Sequence, residues 1–132
     1  KAWVVHGNGL DELTTTGTST VLALEDDQVR SFTVDPVALG LAPAIMAELV
    51  GGEPAENAEA VRRMVAGQHG PHRNIVVLNA GAALVVAGRA QTLEEGVALA
   101  AQSIDSGAAA ATLQRFIDES QQALAEVQAG GR

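Results

Sequence analysis

Between Ile75 and Gly88 the chain reads IVVLNAGAALVVAG, a run in which Asn79 is the one polar side chain. A segment that is apolar nearly all round has to be buried on every side. It is shorter than the roughly 20 residues that span a bilayer, so the rest of the chain has to bury it. Its length and alanine content favour a helix over two strands, and we expect that helix over 74–87 at the centre of the domain. The chain's 132 residues are 47% hydrophobic, with mean hydropathy +0.15, which suits one globular domain and excludes disorder. Its only aromatic residues are Trp3, Phe32 and Phe116, so the core has to be built from Ala, Val, Leu and Ile.

The remaining segments read as partners for that helix. A strand is expected at Ala2 to Val5, and Thr20 to Leu24 and Val29 to Val34 alternate as a hairpin around Glu25-Asp26-Asp27-Gln28. Asp35 can cap a short helix that begins at Pro36, and Pro43 opens a second that stops at Gly51-Gly52. Pro54 to Ala66 reads as a surface helix, with Ala58, Val61, Met64 and Val65 on one face and Gly67 ending it. Thr92-Leu93-Glu94-Glu95 is a capping-box sequence, in which the Thr92 hydroxyl and the Glu95 carboxylate satisfy each other's free backbone N–H groups. Leu93, Val97, Ala100 and Ile104 form the face of that helix, and Gly107 ends or kinks it. Leu113, Phe116, Ile117, Leu124 and Val127 stripe a last helix before a frayed Gly130-Gly131 tail.

Charge and composition exclude several functions. Sixteen acidic against eight basic residues give a net charge of −8, which repels a phosphate backbone. Few aromatics leave no platform for base stacking, so no nucleic-acid partner is expected. With no cysteine there is no thiolate catalysis, cysteine zinc site or disulfide. That composition suits a reducing compartment, and the cytoplasm is the default. No signal-peptide pattern opens the chain, and no membrane partner is expected.

The chemistry sits near the start. In Trp3 to Leu13, WVVHGNGLDEL, a short apolar run ends in a glycine loop that delivers two adjacent carboxylates, Asp11 and Glu12. Oxygen ligands suit Mg²⁺, which is usually held by one or two carboxylates and leaves its other positions to water and substrate phosphates. The bland reading of such a pair is a solvated loop end or a helix N-terminus, where carboxylates complement the dipole. His6 could polarise a substrate group, but a histidine at a strand end is more often a structural residue. His69 and His72, around Gly70-Pro71, lack a third metal ligand. Thr14 to Thr20, TTTGTST, could close over a substrate or simply start a strand. Asn57 and Asn79 fall inside helices, where asparagine usually bonds nearby backbone, so packing or connection is expected of them. Arg62-Arg63, Arg73 and Arg89 could grip phosphate, but solvated helix ends are the better reading. Gly7-Asn8-Gly9 is too short to cradle a diphosphate.

WVVHGNGLDEL followed by TTTGTSTV resembles the metal-binding segment of the anthranilate phosphoribosyltransferases, glycosyltransferases with nucleoside-phosphorylase-like folds. The likeness continues in order through Asp35-Pro36 with Leu39-Gly40-Leu41, Gly51-Gly52 with Glu56-Asn57-Ala58, VVLNAGAALVVAG at 76–88, EEGVALA at 94–100 and IDSGAA at 104–109. It implies an α/β fold, part of the large domain of the nucleoside phosphorylase/phosphoribosyltransferase type, with a central mixed sheet flanked by helices. It also implies that residues 1–132 are the C-terminal portion of that catalytic domain. The small helical domain, which usually forms a homodimer contact, and the diphosphate-binding loop would then lie upstream. Alone, such a portion is expected to be inactive and to expose apolar surface where the missing half packs. The implied reaction is Mg²⁺-dependent transfer of a 5-phosphoribosyl group from phosphoribosyl diphosphate to anthranilate in tryptophan biosynthesis. Asp11 and Glu12 fall on the family's magnesium positions, while no catalytic base is assigned. Two alternatives are a family-like nucleic-acid-binding protein without transferase activity, which the −8 charge opposes, and a related nucleoside phosphorylase, which would lack the Leu10-Asp11-Glu12 pattern.

Overall fold

A strict inside-out alternation builds the sheet. The computed structural model describes residues 1–130. Strands β1 (Ala2–Gly7), β2 (Ser19–Glu25) and β3 (Gln28–Val34) lie in that order, and both pairings are antiparallel. Trp3, Val5, Ser19, Val21, Ala23, Phe32 and Val34 share the inner face, while Val4, Leu22, Leu24 and Val29 face outward. Asp26 and Asp27 both take positive φ, the conformation a two-residue hairpin turn requires. Across the small Ala23, the Trp3 and Phe32 rings meet edge to face at 5.4 Å. The α/β class is as expected. The mixed pairing is not seen among the described residues, because each strand returns through a turn or loop and no crossover helix intervenes.

Helices α1 (Pro54–Val65), α2 (Pro71–Val86), α3 (Leu93–Asp105) and α4 (Ala108–Gly130) follow. Val77, Leu78 and Ala82 of α2, with Val97, Ala100 and Ile104 of α3, join the inner sheet face and the loop residue Leu13 in one core. The apolar run is thus the central helix, as expected. It starts three residues earlier than 74, because Pro71 occupies the first turn after Gly70. Where α2 crosses α3 the backbones touch: a Cβ on Gly81 would lie 2.7 Å from the Val97 nitrogen, and one on Gly96 would collide with the Gly81 carbonyl oxygen.

Several local expectations change. The two short helices are single 3-10 turns, Val37–Leu39 and Met46–Glu48. The first ends at Gly40, with Asp35 Oδ1 accepting from the Val37 N–H as its cap. Pro43 opens no helix, since the next N–H, that of Ala44, is bonded to the Thr15 carbonyl at 2.9 Å and Ile45 is extended. Thr92 Oγ1 caps the Glu95 N–H as expected, but the Glu95 carboxylate accepts from Gln91 rather than Thr92. Arg73 is not a solvated helix end: it is buried, and its guanidinium meets the Asp105 carboxylate at 2.9 and 3.0 Å, tying α2 to α3. Gly107, at φ 80°, separates α3 from α4. The α4 stripe lies open, with Phe116, Leu124 and Val127 exposed. That helix runs to Gly130, and the rest of the expected frayed tail, Gly131, lies outside the described residues. Among the described residues no helix is long and apolar enough to cross a membrane.

Candidate functional site

Asn8 and Gly9, both at positive φ, reverse the chain directly after β1, and Leu10 returns to pair with Gly7 through N–H to carbonyl bonds of 3.1 and 2.9 Å. Asp11 and Glu12 come next, and both are exposed. The three residues that follow, Leu13, Thr14 and Thr15, are completely buried. The acidic pair is therefore the outward corner of a loop whose continuation is anchored in the core.

Three contacts set that corner. Gly7 lets the loop lie against the strand end: a Cβ there would come within 2.6 Å of the Glu12 carbonyl oxygen, 2.8 Å of the Thr14 nitrogen and 2.9 Å of Ser19 Oγ. Ser19 Oγ accepts from the Thr14 N–H at 2.9 Å. From α2, the Asn79 carboxamide accepts from the Leu13 N–H at 3.0 Å and donates to the Leu13 carbonyl at 2.8 Å. Gly7 and Ser19 carry no signal in the sequence that marks this role. Asn79 does, as the lone polar side chain of the apolar run.

The start of the threonine stretch, Thr14 and Thr15, turns inward, while Thr18 and Thr20 are exposed. Thr14 Oγ1 bonds the Thr16 hydroxyl and the Thr16 N–H, and Asn8 Nδ2 donates to Thr16 Oγ1. His6 is exposed on the outer sheet face, opposite Thr20, and its imidazole makes no hydrogen bond among the described residues. His72 stands in the first turn of α2 and His69 just before it, both exposed, beside Arg63 and Arg73. Among the described residues no group of three His, Asp or Glu side chains could hold a metal ion. Asn57 connects as expected, accepting from the Gly52 N–H and donating to its carbonyl. Arg62 and Arg63 reach Glu59 on the exposed face of α1.

The donor set at the corner is two adjacent carboxylates, neither ion-paired among the described residues and both open to solvent. Such a set fits Mg²⁺, which keeps waters and substrate oxygens as its other ligands, and does not fit a metal that needs a closed protein cage.

Residues 1–110 match the model of a glycosyl transferase family, a/b domain. An anthranilate phosphoribosyltransferase from Phenylobacterium zucineum is 54% identical over 118 residues, 89% of this chain and 35% of that protein. The crystal structure of anthranilate phosphoribosyltransferase from Thermus thermophilus superimposes with a TM-score of 0.81 at 38% identity, over 89% of this chain and 35% of that one. The Saccharomyces cerevisiae enzyme in complex with PRPP and Mg superimposes with a TM-score of 0.77 at 28% identity, over 88% and 34%. The chain thus spans about a third of the length of the relatives it matches.

Proposed function

We propose, because this chain belongs to the glycosyl transferase family and carries its a/b domain, that the complete protein is an anthranilate phosphoribosyltransferase. It moves the 5-phosphoribosyl group of phosphoribosyl diphosphate onto the amine of anthranilate, releasing diphosphate, as a cytoplasmic homodimer serving tryptophan biosynthesis. The observation that carries the reading is the 54% identity to the Phenylobacterium zucineum enzyme along 89% of the chain.

Residues 1–132 are the C-terminal portion of the α/β catalytic domain, and the remainder of the protein is their first partner. Three features support this. β1 is an edge strand with an open side. Beside it a groove of about 460 Å³ runs between Trp3, Val5, Asn79 and Ala82, and the buried Trp3 Nε1 has no hydrogen-bond partner among the described residues. The outer sheet face exposes Val4 and Val29 at 68% each, together with Leu22 and Leu24.

Asp11 and Glu12 would hold Mg²⁺. When bound, the ion neutralises charge that builds on the departing diphosphate. The chain's own share is geometric: the Asn8-Gly9 reversal and the buried Leu13-Thr14-Thr15 anchor keep two carboxylates outside the core, where a charged substrate can approach. The amine of anthranilate is already a neutral nucleophile at pH 7, so no general base is asked of this segment.

Loss of anthranilate fluorescence tests the reading. The complete protein is expected to consume anthranilate only with both phosphoribosyl diphosphate and Mg²⁺ present. Phosphorolysis of a nucleoside without Mg²⁺, and no consumption of anthranilate, would overturn it in favour of a phosphorylase.

A further inference from the structure

We infer that Asn79 is a positioning residue for the acidic pair, an assignment that rests on the proposed metal role of Asp11 and Glu12. Its carboxamide binds both polar groups of a single residue, accepting from the Leu13 N–H and donating to the Leu13 carbonyl. Its remaining donor goes to the Ile75 carbonyl one turn back in α2, at 2.9 Å. That last bond is the ordinary role of a helical asparagine. The other two are not, since they reach 66 residues along the chain to the residue directly after Glu12.

Leu13 is completely buried, so its N–H and carbonyl have no water to turn to, and loss of the carboxamide leaves both unpaired. Both Asn79 donors are committed, which leaves the side chain one orientation. Asn79 also stands on a helix whose backbone touches that of α3 at the Gly81–Gly96 crossing. The backbone directly after the carboxylates is therefore hydrogen-bonded to α2 through this side chain, with Ser19 holding the next residue from the sheet side. Groups that orient metal ligands without touching the metal typically account for about 10–100-fold in affinity.

The test titrates Mn²⁺ into the complete protein with phosphoribosyl diphosphate present and follows the free ion by electron paramagnetic resonance. Asn79→Ala is expected to weaken Mn²⁺ binding about 10-fold or more and to raise the KM for Mg²⁺ more than it lowers kcat. Asn79→Asp keeps the acceptor for the Leu13 N–H but turns a carboxylate toward two carbonyls. It is expected to weaken binding as well, and it decides the matter if the alanine variant does not fold. Arg73→Met breaks a polar tie of α2 remote from Leu13 and is expected to lower thermal stability while leaving Mn²⁺ affinity unchanged. Wild-type affinity in the Asn79 variants, alongside loss in Asp11→Asn, overturns this inference alone. Wild-type affinity in both Asp11→Asn and Glu12→Gln removes the metal reading, and the role of Asn79 with it.

Discussion

Asp11→Asn in the complete protein is expected to lower magnesium-supported transfer to anthranilate by about 10²-fold, about 3 kcal/mol of barrier, and Glu12→Gln to do nearly the same. Each change keeps the size of the side chain and removes its charge, so it tests charge rather than packing. Both residues are exposed and unpaired among the described residues, while the anchor behind them, Leu13 to Thr15, stays buried. The unfolding transition should therefore stay within about 0.5 kcal/mol of wild type, as for surface substitutions generally. If the two carboxylates share one ion, the double variant should fall well short of the summed losses, and near-additive losses would assign them to separate ions. Steady-state rates across a Mg²⁺ titration, paired with denaturant unfolding, check this. Unchanged turnover in either single variant would remove that residue from the metal site.

Gly81→Ala and Gly96→Ala are each expected to destabilise the protein by about 3 kcal/mol, the upper part of the range for overfilling a packed core. At an open helical position the same change gains about 0.5–1 kcal/mol, because glycine gives up more backbone freedom on folding, so the sign is the diagnostic. Neither helix has a yielding neighbour at the crossing. The added methyl on Gly81 meets the Val97 nitrogen at 2.7 Å and the Gly96 carbonyl carbon at 2.9 Å, and the one on Gly96 meets the Gly81 carbonyl. Gly88 supplies the contrast: it has φ 69° and nothing within 4 Å of its added Cβ. Its replacement by alanine should cost only the left-handed strain, about 1 kcal/mol. The double variant at the crossing should lose less than the sum, since the first methyl already parts the helices. Denaturant unfolding of the complete protein reads all four, and a gain at Gly81 or Gly96 would mean that the helices do not cross there.

Periodicity made much of this fold legible. The alternation over 20–24 and 29–34 placed the hairpin, and the apolar run placed its central helix, because burial alone dictates both patterns. What it could not convey was where helices approach closely enough to exclude a methyl: Gly81 and Gly96 look like any small residues until two segments meet. The helix expected from Pro43 failed for a related reason, since a distant carbonyl, that of Thr15, takes the Ala44 N–H. The acidic pair stood out from its adjacency and its glycine turn. Its supports did not, because Asn79, 66 residues away from Leu13, carries only the anomaly of a polar group in an apolar run. Arg73 reads as solvated in the sequence because nothing near it announces Asp105 as its partner.

The central claim is that Asp11 and Glu12 hold the divalent ion that accompanies phosphoribosyl diphosphate. Anomalous diffraction at the manganese edge, from crystals of the complete protein grown with Mn²⁺ and phosphoribosyl diphosphate, tests it most directly. The account predicts a manganese peak about 2 Å from a carboxylate oxygen of Asp11 or Glu12, with diphosphate oxygens and water completing the shell. Manganese bound to the diphosphate with both carboxylates outside its coordination sphere would contradict it.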